Sequence, residues 1–429
     1  MSNKKILQRL KNFDPELCKV LENALRRQIS TLSLIPTDSA ASPFSAYLRG
    51  SALGNDFIDF RSTEHHSTLE RIAVKRACEL FDAEHAIVRL GNLGAASRVV
   101  LQTFAKSDDN ILSFNLRKKE HCTGDQMQFD FLKFALEPDT LKLNFDKIRA
   151  LAMLSEPKII IFSPVNYPKN IDYSELRKIA DKVGAILWID IGQNAGLVAT
   201  KKIPSPVKFA DVVTFAANDA LHGPQSGIIL CKKKYAAALD QKVIDTGHVS
   251  LKKNVLAALA VTFAEAACDA YEDYSAQVID NARALEKGLK SVGAEVICSP
   301  TENHLVLLRL PEHQNREKLA EKLAQANLLV KPELLMTSDN KISYPVLRLS
   351  TLDPTTRSLK EKDLRKVGEV LGKFLLSAQN DAAIQALGKV IRKMIDNQPL
   401  FSEEWLPDDE AAQDLDADLM MTALVNWRV

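Results

Sequence analysis

Short apolar runs alternate with helical patterns along residues 67–231. Residues 172–183 are helical in pattern, because their apolar positions recur three and four residues apart. Another helix is predicted to end at Phe81 after a cap at Ser67 or Thr68, and a third to open at Gly94. The runs predicted as strands are 86–90, 110–114, 158–162, 185–190, 210–215 and 227–231. Because these runs are apolar throughout, helices should cover both sheet faces, which predicts an α/β fold with a mainly parallel sheet.

The pattern changes on either side of this region. Residues 15–31 have a helical pattern, and the irregular stretch that follows is broken at Pro36 and Pro43. Beyond residue 276 the predicted helices are 279–292, 316–327 and 359–376, and the predicted strands are 294–298, 304–310 and 346–350. We therefore predict an N-terminal helix and arm (1–47), a large α/β domain (48–275), a smaller C-terminal α+β domain (276–400) and an acidic C-terminal tail (401–429).

The tail is named for its charge. Residues 402–418 contain eight acidic residues and no basic one, and an apolar terminus follows them. Such a segment is first interpreted as a solvated linker with a docked end. The alternative is a tail that binds a protein partner.

Composition and charge exclude several classes of function. The 56 Lys and Arg residues balance 55 Asp and Glu residues, so no electrostatic argument favours nucleic acid or an anionic membrane as a partner. No apolar run approaches the ~20 residues of a membrane-spanning helix. The first residues lack the apolar stretch of a secretory signal, so a cytoplasmic location is expected. The six cysteines are scattered and are interpreted as buried free thiols.

Several short strings follow one another in the order of a known family. They are Arg27-Gln28 with Leu32, Gly50-Ser51 with Asn55, Leu69-Glu70-Arg71-Ile72-Ala73, Ile189-Asp190 with Ala195-Gly196-Leu197-Val198-Ala199, Asn303-His304-Leu305-Val306-Leu307, and Arg348 with Thr351 and Thr355-Thr356-Arg357. Together, over residues 13–376, they resemble serine hydroxymethyltransferase. The resemblance implies a fold-type I pyridoxal-phosphate transferase with a seven-stranded type of sheet, and a homodimer.

In that family a lysine holds pyridoxal phosphate as a Schiff base. The corresponding string here is Ala217-Asn218-Asp219-Ala220-Leu221-His222-Gly223-Pro224, and its flanking residues place Asp219 at the lysine position. No lysine lies between Lys208 and Lys232. A carboxylate cannot form an imine, and it would repel a phosphate-bearing aldehyde. The resemblance with this substitution therefore predicts no cofactor, or pyridoxal phosphate held at most without a covalent bond.

Other positions of the implied site have also changed. The phosphate-contacting Ser-Gly-Ser of the family corresponds to Asn92-Leu93-Gly94, which keeps a helix start but loses both hydroxyls. Its Gln-Gly-Gly-Pro loop corresponds to residues 248–251, and the His of its Asp-x-x-His string corresponds to Gln193. The chain is also about seven residues shorter between Asn55 and Glu64, where the family has a Tyr-rich loop that reaches the partner's site.

Four site positions match the family and a fifth is replaced, and three of the matches also have a simpler explanation. Asp190 corresponds to the pyridine-nitrogen partner, or it caps the next turn. His121 corresponds to the ring-stacking histidine, or it is a loop residue; Arg348 corresponds to the substrate-carboxylate arginine, or it pairs with an acid of the small domain. Glu64 corresponds to the proton-transfer glutamate, and Thr37 replaces a substrate-contacting serine. No metal site is expected, because adjacent His65 and His66 chelate poorly.

Three hypotheses follow. The first, which we favour, is a catalytically inactive family member that acts as a scaffold or protein-binding subunit. The second is an enzyme acting on an amino acid or folate-like ligand in a remodelled cleft, with Asp219, Glu64 and His121 as acid–base candidates. The third is a module that holds pyridoxal phosphate or an amino acid without a covalent bond, through Asp190, His121 and Arg348.

Overall fold

The computed structural model describes residues 3–55, 60–114, 129–248, 251–338 and 343–407, and for 3–4, 60–66 and 130 it describes the backbone only. The strands of these residues are β1 Leu32–Ser33, β2 His85–Leu90, β3 Asn110–Phe114, β4 Asp130–Phe134, β5 Ile159–Phe162, β6 Ile186–Asp190, β7 Val212–Ala216, β8 Gly227–Cys231, β9 Val296–Ile297, β10 Leu305–Arg309, β11 Leu328–Leu329, β12 Lys331–Met336 and β13 Ser343–Ser350. The helices are α1 Asn3–Phe13, α2 Pro15–Ile29, α3 Pro43–Arg49, α4 Phe60–Phe81, α5 Leu93–Phe104, α6 Phe145–Ser155, α7 Tyr173–Val183, α8 Ala195–Ala199, α9 Lys233–Asp245, α10 Lys253–Glu265, α11 Asp269–Ser291, α12 Arg316–Gln325, α13 Leu352–Thr356, α14 Glu361–Leu375 and α15 Asp381–Ile395.

A seven-stranded sheet forms the larger part of the fold. Its order is β2-β8-β7-β6-β5-β3-β4, in which β8 is antiparallel to both neighbours and the other pairs are parallel. Successive residues of β6 face opposite cores: Leu187 packs on the α7 side, and Trp188 packs on the side of α5 and α9. Both faces are therefore covered, and the predicted α/β fold with a mainly parallel sheet is confirmed.

A second sheet has four antiparallel strands in the order β12-β13-β10-β9. Its core is shared with α11, α12, α14 and α15. The short strand β1 pairs in parallel with β11, which ties the N-terminal segment to this part of the chain. The division into domains at residues 47, 275 and 400 stays a prediction.

Some element boundaries differ from those predicted. Helix α4 begins at Phe60 rather than near Ser67, because the polar residues taken as its cap lie within its second and third turns. Pro43, taken as a break, opens α3 at a position where its missing N–H is not needed. Ser42 caps that helix by accepting a hydrogen bond from the Ser45 N–H at 3.1 Å.

The interpretation of residues 401–429 as a tail is also corrected in part. Trp405 is buried, and its indole N–H donates to the carbonyl oxygen of Thr355 at 2.8 Å. The ring of Phe401 lies 5.2 Å from that of His222. Residues 401–407 are therefore docked on the protein through the buried Trp405 and the partly buried Phe401, and residues 408–429 lie outside the described residues.

Candidate functional site

Asp190 lies at the edge of the seven-stranded sheet where the parallel strands β5, β6 and β7 end, here called the carboxyl edge. It is buried, and its Oδ1 accepts the Gly192 N–H at 3.1 Å, so it does cap the next turn. Ser163 donates to its Oδ2 at 3.4 Å. Burial raises the pKa of Asp190 to about 7, and the neighbouring charge of Asp219 adds to that rise.

Asp219 lies on the loop that follows β7, at the same edge. It is 7% exposed, and Asn218 Nδ2 donates to its Oδ1 at 3.0 Å. Burial raises the pKa of Asp219 to about 6, and the charge of Asp38 adds to this rise. The hydrogen bond from the Gln193 side chain acts in the opposite direction and lowers the pKa. The sequence-predicted positions 190, 193 and 219 are thus brought together at the carboxyl edge, and the site around these three side chains is here called the carboxyl-edge cleft.

Two amide side chains of the turn after β6 carry buried oxygens. Gln193 is 9% exposed and Asn194 is 5% exposed. Gln193 Oε1 and Asn194 Oδ1 have no hydrogen-bond partner among the described residues. Since the Gln193 amide also bonds Asp219, its free oxygen lies beside the Asp219 carboxyl. The cleft is therefore rich in acceptors, which favours a ligand that donates hydrogen bonds.

His222 and Glu265 are buried titratable groups that sequence reasoning did not select. Ser39 Oγ lies 2.7 Å and the Ala40 carbonyl oxygen 2.9 Å from His222 Nδ1, which therefore carries the proton. Burial lowers the pKa of this histidine to about 4. Glu265 accepts a 2.8 Å hydrogen bond from Ser42, and burial raises its pKa to about 7. The sequence spacing around His222 and Glu265 did not indicate a functional role for either residue. The one feature that could have identified His222 was its position in the string around Asp219.

Arg348 lies on β13 and is buried in an ion pair. Its Nη1 donates to Glu333 Oε1 at 3.0 Å, and its Nη2 donates to the Val165 carbonyl oxygen at 2.8 Å. Burial raises the pKa of Glu333, but the charges of Arg348 and Lys331 outweigh it, so the pKa lies below its usual value. The geometry is that of the simpler alternative, an arginine paired with an acid.

The N-terminus of α5 lies at the carboxyl edge as well, because β2 runs in the same direction as β7. Asn92 caps this helix by accepting the Ala95 N–H at 2.8 Å, and Gly94 lies in its first turn. A helix N-terminus favours an anion through its N–H groups and its dipole. The predicted phosphate contact at Asn92 and Gly94 stays a prediction.

Of the other predicted positions, Thr37 lies at a cavity, and the rest lie wholly or in part outside the described residues. Thr37 is exposed and lines a cavity of about 650 Å³ with Asp38, Asn218 and Arg357. His121 lies outside the described residues, as do residues 249–250 and the side chain of Glu64. Among the described residues, no group of three or more His, Cys, Asp or Glu side chains could hold a metal ion.

Comparison with known proteins connects these features to one family. A family model described as serine hydroxymethyltransferase matches residues 10–371. The serine hydroxymethyltransferase of Prochlorococcus marinus subsp. pastoris is 32% identical over 415 residues, covering 93% of this chain and 98% of that protein. That of Coprothermobacter proteolyticus is 31% identical over 405 residues, covering 90% and 97%. None of the helices in the described part of the chain combines the length and the apolar character that a membrane-spanning segment needs.

These matches overturn the expectation that no cofactor is used, because the matched family consists of fold-type I pyridoxal-phosphate transferases. Two features of the cleft fit that cofactor. The Asp190 carboxyl can hold the ring nitrogen, and the α5 N-terminus suits the phosphate. Asp219 does not fit, since it presents a carboxyl where the resemblance implies the amine that binds the aldehyde. The residues of the cleft therefore fit the ring nitrogen and the phosphate of the cofactor, and they do not fit its aldehyde.

Proposed function

This chain belongs to the serine hydroxymethyltransferase family, and from that premise we propose that it is a catalytically inactive member that acts as a protein-binding subunit. The observation that carries the proposal is the Asp219 carboxyl, buried in the carboxyl-edge cleft beside Gln193 and Asp190. The family's reaction begins with an amine bound covalently to the cofactor, and a carboxylate cannot supply that bond.

The Arg348 ion pair supports the same proposal. An arginine that recognises an amino-acid carboxylate has to offer its guanidinium donors to the substrate. Here one donor is bonded to Glu333 at 3.0 Å and another to the Val165 carbonyl oxygen at 2.8 Å. A substrate carboxylate would have to displace a buried carboxylate that is already paired, so binding of serine or glycine is expected to be weak.

Protein binding is proposed from the surface of α2. The side chains of Leu17, Leu21 and Leu25 are 44%, 45% and 56% exposed, and their spacing of four residues puts them on one side of the helix. We propose that a second copy of the chain covers this stripe in a cytoplasmic homodimer. Residues 408–429 are proposed to bind a separate protein with a basic surface, by charge complementarity.

The catalytic part is tested by an assay of serine-to-glycine conversion. The purified full chain is incubated with pyridoxal phosphate, tetrahydrofolate and serine, and Asp219→Asn is run beside it to measure contaminating activity. We expect both proteins to give the same background rate. A wild-type rate above that of the variant would contradict the proposal, because it would make Asp219 part of a working site.

The tail part is tested with two chain lengths. Truncation after residue 400 would also remove the buried Trp405, so the informative comparison is the full chain against a chain ending at residue 407. We expect the shorter chain to keep its fold and to lose the partner in a pull-down. Equal recovery of the same partner by both chains would exclude the tail as the binding segment.

A further inference from the structure

The carboxyl-edge cleft presents a second carboxyl group beside the one that the cofactor ring requires. Asp190 ends β6, and Asp219 follows β7, the strand paired in parallel with β6, so both carboxyls lie at the same edge of the sheet. The charge of Asp219 adds to the raised pKa of Asp190. Both are buried, being 3% and 7% exposed. Pyridoxal phosphate has one cationic group for such a pair, its protonated ring nitrogen, and its aldehyde offers Asp219 no hydrogen-bond donor.

Gln193 adds an independent observation at the same place. Its amide bonds Asp219, while its Oε1 is buried without a partner among the described residues. A buried acceptor without a donor is costly, at about 1–3 kcal/mol, so this oxygen favours a ligand with more than one N–H. A primary ammonium has three N–H donors, enough for Asp219 and Gln193 Oε1 together.

We propose that this cleft binds pyridoxamine phosphate, the amine form of the family's cofactor, with its ammonium group on Asp219 and Gln193 and its ring nitrogen on Asp190. The ligand supplies through its own amine the nitrogen that a lysine would supply elsewhere, and no covalent bond to the protein forms. The α5 N-terminus lies at the same sheet edge as both carboxyls and suits the phosphate. The raised pKa values of Asp190 and Asp219 agree with a site that lowers them when two cationic groups bind.

This inference goes beyond the proposed function and does not depend on partner binding. The protein could bind pyridoxamine phosphate with or without a second protein on its surface. Its failure is also distinguishable: loss of the ligand preference leaves the activity assay and the pull-down unaffected.

The test is calorimetric titration of the full chain with three phosphorylated compounds that differ at one group. They are pyridoxamine phosphate with an ammonium, pyridoxine phosphate with a hydroxyl, and pyridoxal phosphate with an aldehyde. We expect the wild-type protein to bind the amine form about 10- to 100-fold more tightly than the hydroxyl form, as a buried charge-assisted hydrogen bond implies. Asp219→Asn should remove that preference.

Asp280→Asn is the matched control, since it removes the same charge from an exposed position on α11. It should keep the full preference for the amine. Equal affinity of wild-type protein for the amine and hydroxyl forms would overturn the proposal, as would no binding of the amine form or a preference that survives Asp219→Asn. If the Asp219 variant does not fold, the affinities of the wild-type protein for the amine and hydroxyl forms still test the proposal.

Discussion

Arg348 and Glu333 form a buried ion pair across neighbouring strands of the four-stranded sheet, with Nη1 of the arginine 3.0 Å from Oε1 of the glutamate. Lys331 reaches the same oxygen at 3.0 Å, but its side chain is 47% exposed. The contact between Arg348 and Glu333 is therefore the one shielded from water. The charge of each of these two side chains is compensated by the charge of the other.

Glu333→Gln should destabilise the protein by about 3 kcal/mol, because it leaves the buried guanidinium without its counter-charge. The free energy of unfolding is measured in urea. Lys331→Gln is the control, and it should cost less than about 1 kcal/mol since that pair is half exposed. Equal effects of the two substitutions would mean that burial does not strengthen the Arg348 contact.

Asp219→Lys should restore the covalent chemistry that the wild type lacks. The new amine lies next to Asp190, so added pyridoxal phosphate should attach to it and become permanent after borohydride reduction. Mass spectrometry of the peptide containing residue 219 reads the modification. The wild type and Asp219→Asn should show none there; modification of the same peptide in the wild type would place a reactive lysine close to the cleft.

Stability should fall as pH rises through the titration of Asp219. Burial raises its pKa from 3.8 to about 6, so between these values the folded state binds more protons than the unfolded state. The stabilising contribution is fully present below the unfolded pKa and is lost above pH 6. Between pH 4 and pH 8, the free energy of unfolding of Asp219→Asn should rise by about 2 kcal/mol relative to that of the wild type. Urea unfolding at several pH values checks this, and a constant difference between the two proteins would argue against it.

Trp405→Ala should destabilise the protein by about 3 kcal/mol, because it empties a buried aromatic site. The indole packs against Tyr274 at 5.5 Å between ring centroids, with Lys360 Nζ 4.2 Å from the ring centroid. Thermal unfolding measures the loss. A chain ending at residue 407 retains the indole and should unfold at nearly the wild-type temperature. If instead Trp405→Ala has no effect, residues 401–407 do not contribute to the fold.

Leu21→Glu should weaken the proposed homodimer, since it places a charge in the exposed apolar stripe of α2. Sedimentation velocity at micromolar concentration should show more monomer than for the wild type. Lys19→Glu lies on another side of the helix and serves as the control. Unchanged sedimentation of the Leu21 variant would exclude this stripe as the interface.

The sequence predicted six of the seven strands of the large sheet because their apolar residues are contiguous, as in β5 and β8. It missed β4, in which Asp130 and Lys133 interrupt the apolar run. It predicted the meeting of Asp190, Gln193 and Asp219 through the resemblance. It gave pairing with an acid of the small domain as an alternative for Arg348 but could not identify Glu333, because pairing depends on strand register and not on the spacing of 15 residues along the chain. Helix α3 was missed since serine and proline mark a helix start as well as a break.

The pairing of β1 with β11 has a consequence for how the protein is made. The N-terminal segment meets its strand partner only after most of the chain exists: Asn327 Nδ2 donates to the Ser30 carbonyl oxygen, 297 positions away, at 2.7 Å. While the ribosome is still synthesising the middle of the chain, the arm has no strand to join. Its leucine-rich helix, whose side chains stay exposed in the folded chain, is therefore an unanchored apolar surface on the nascent protein for most of translation.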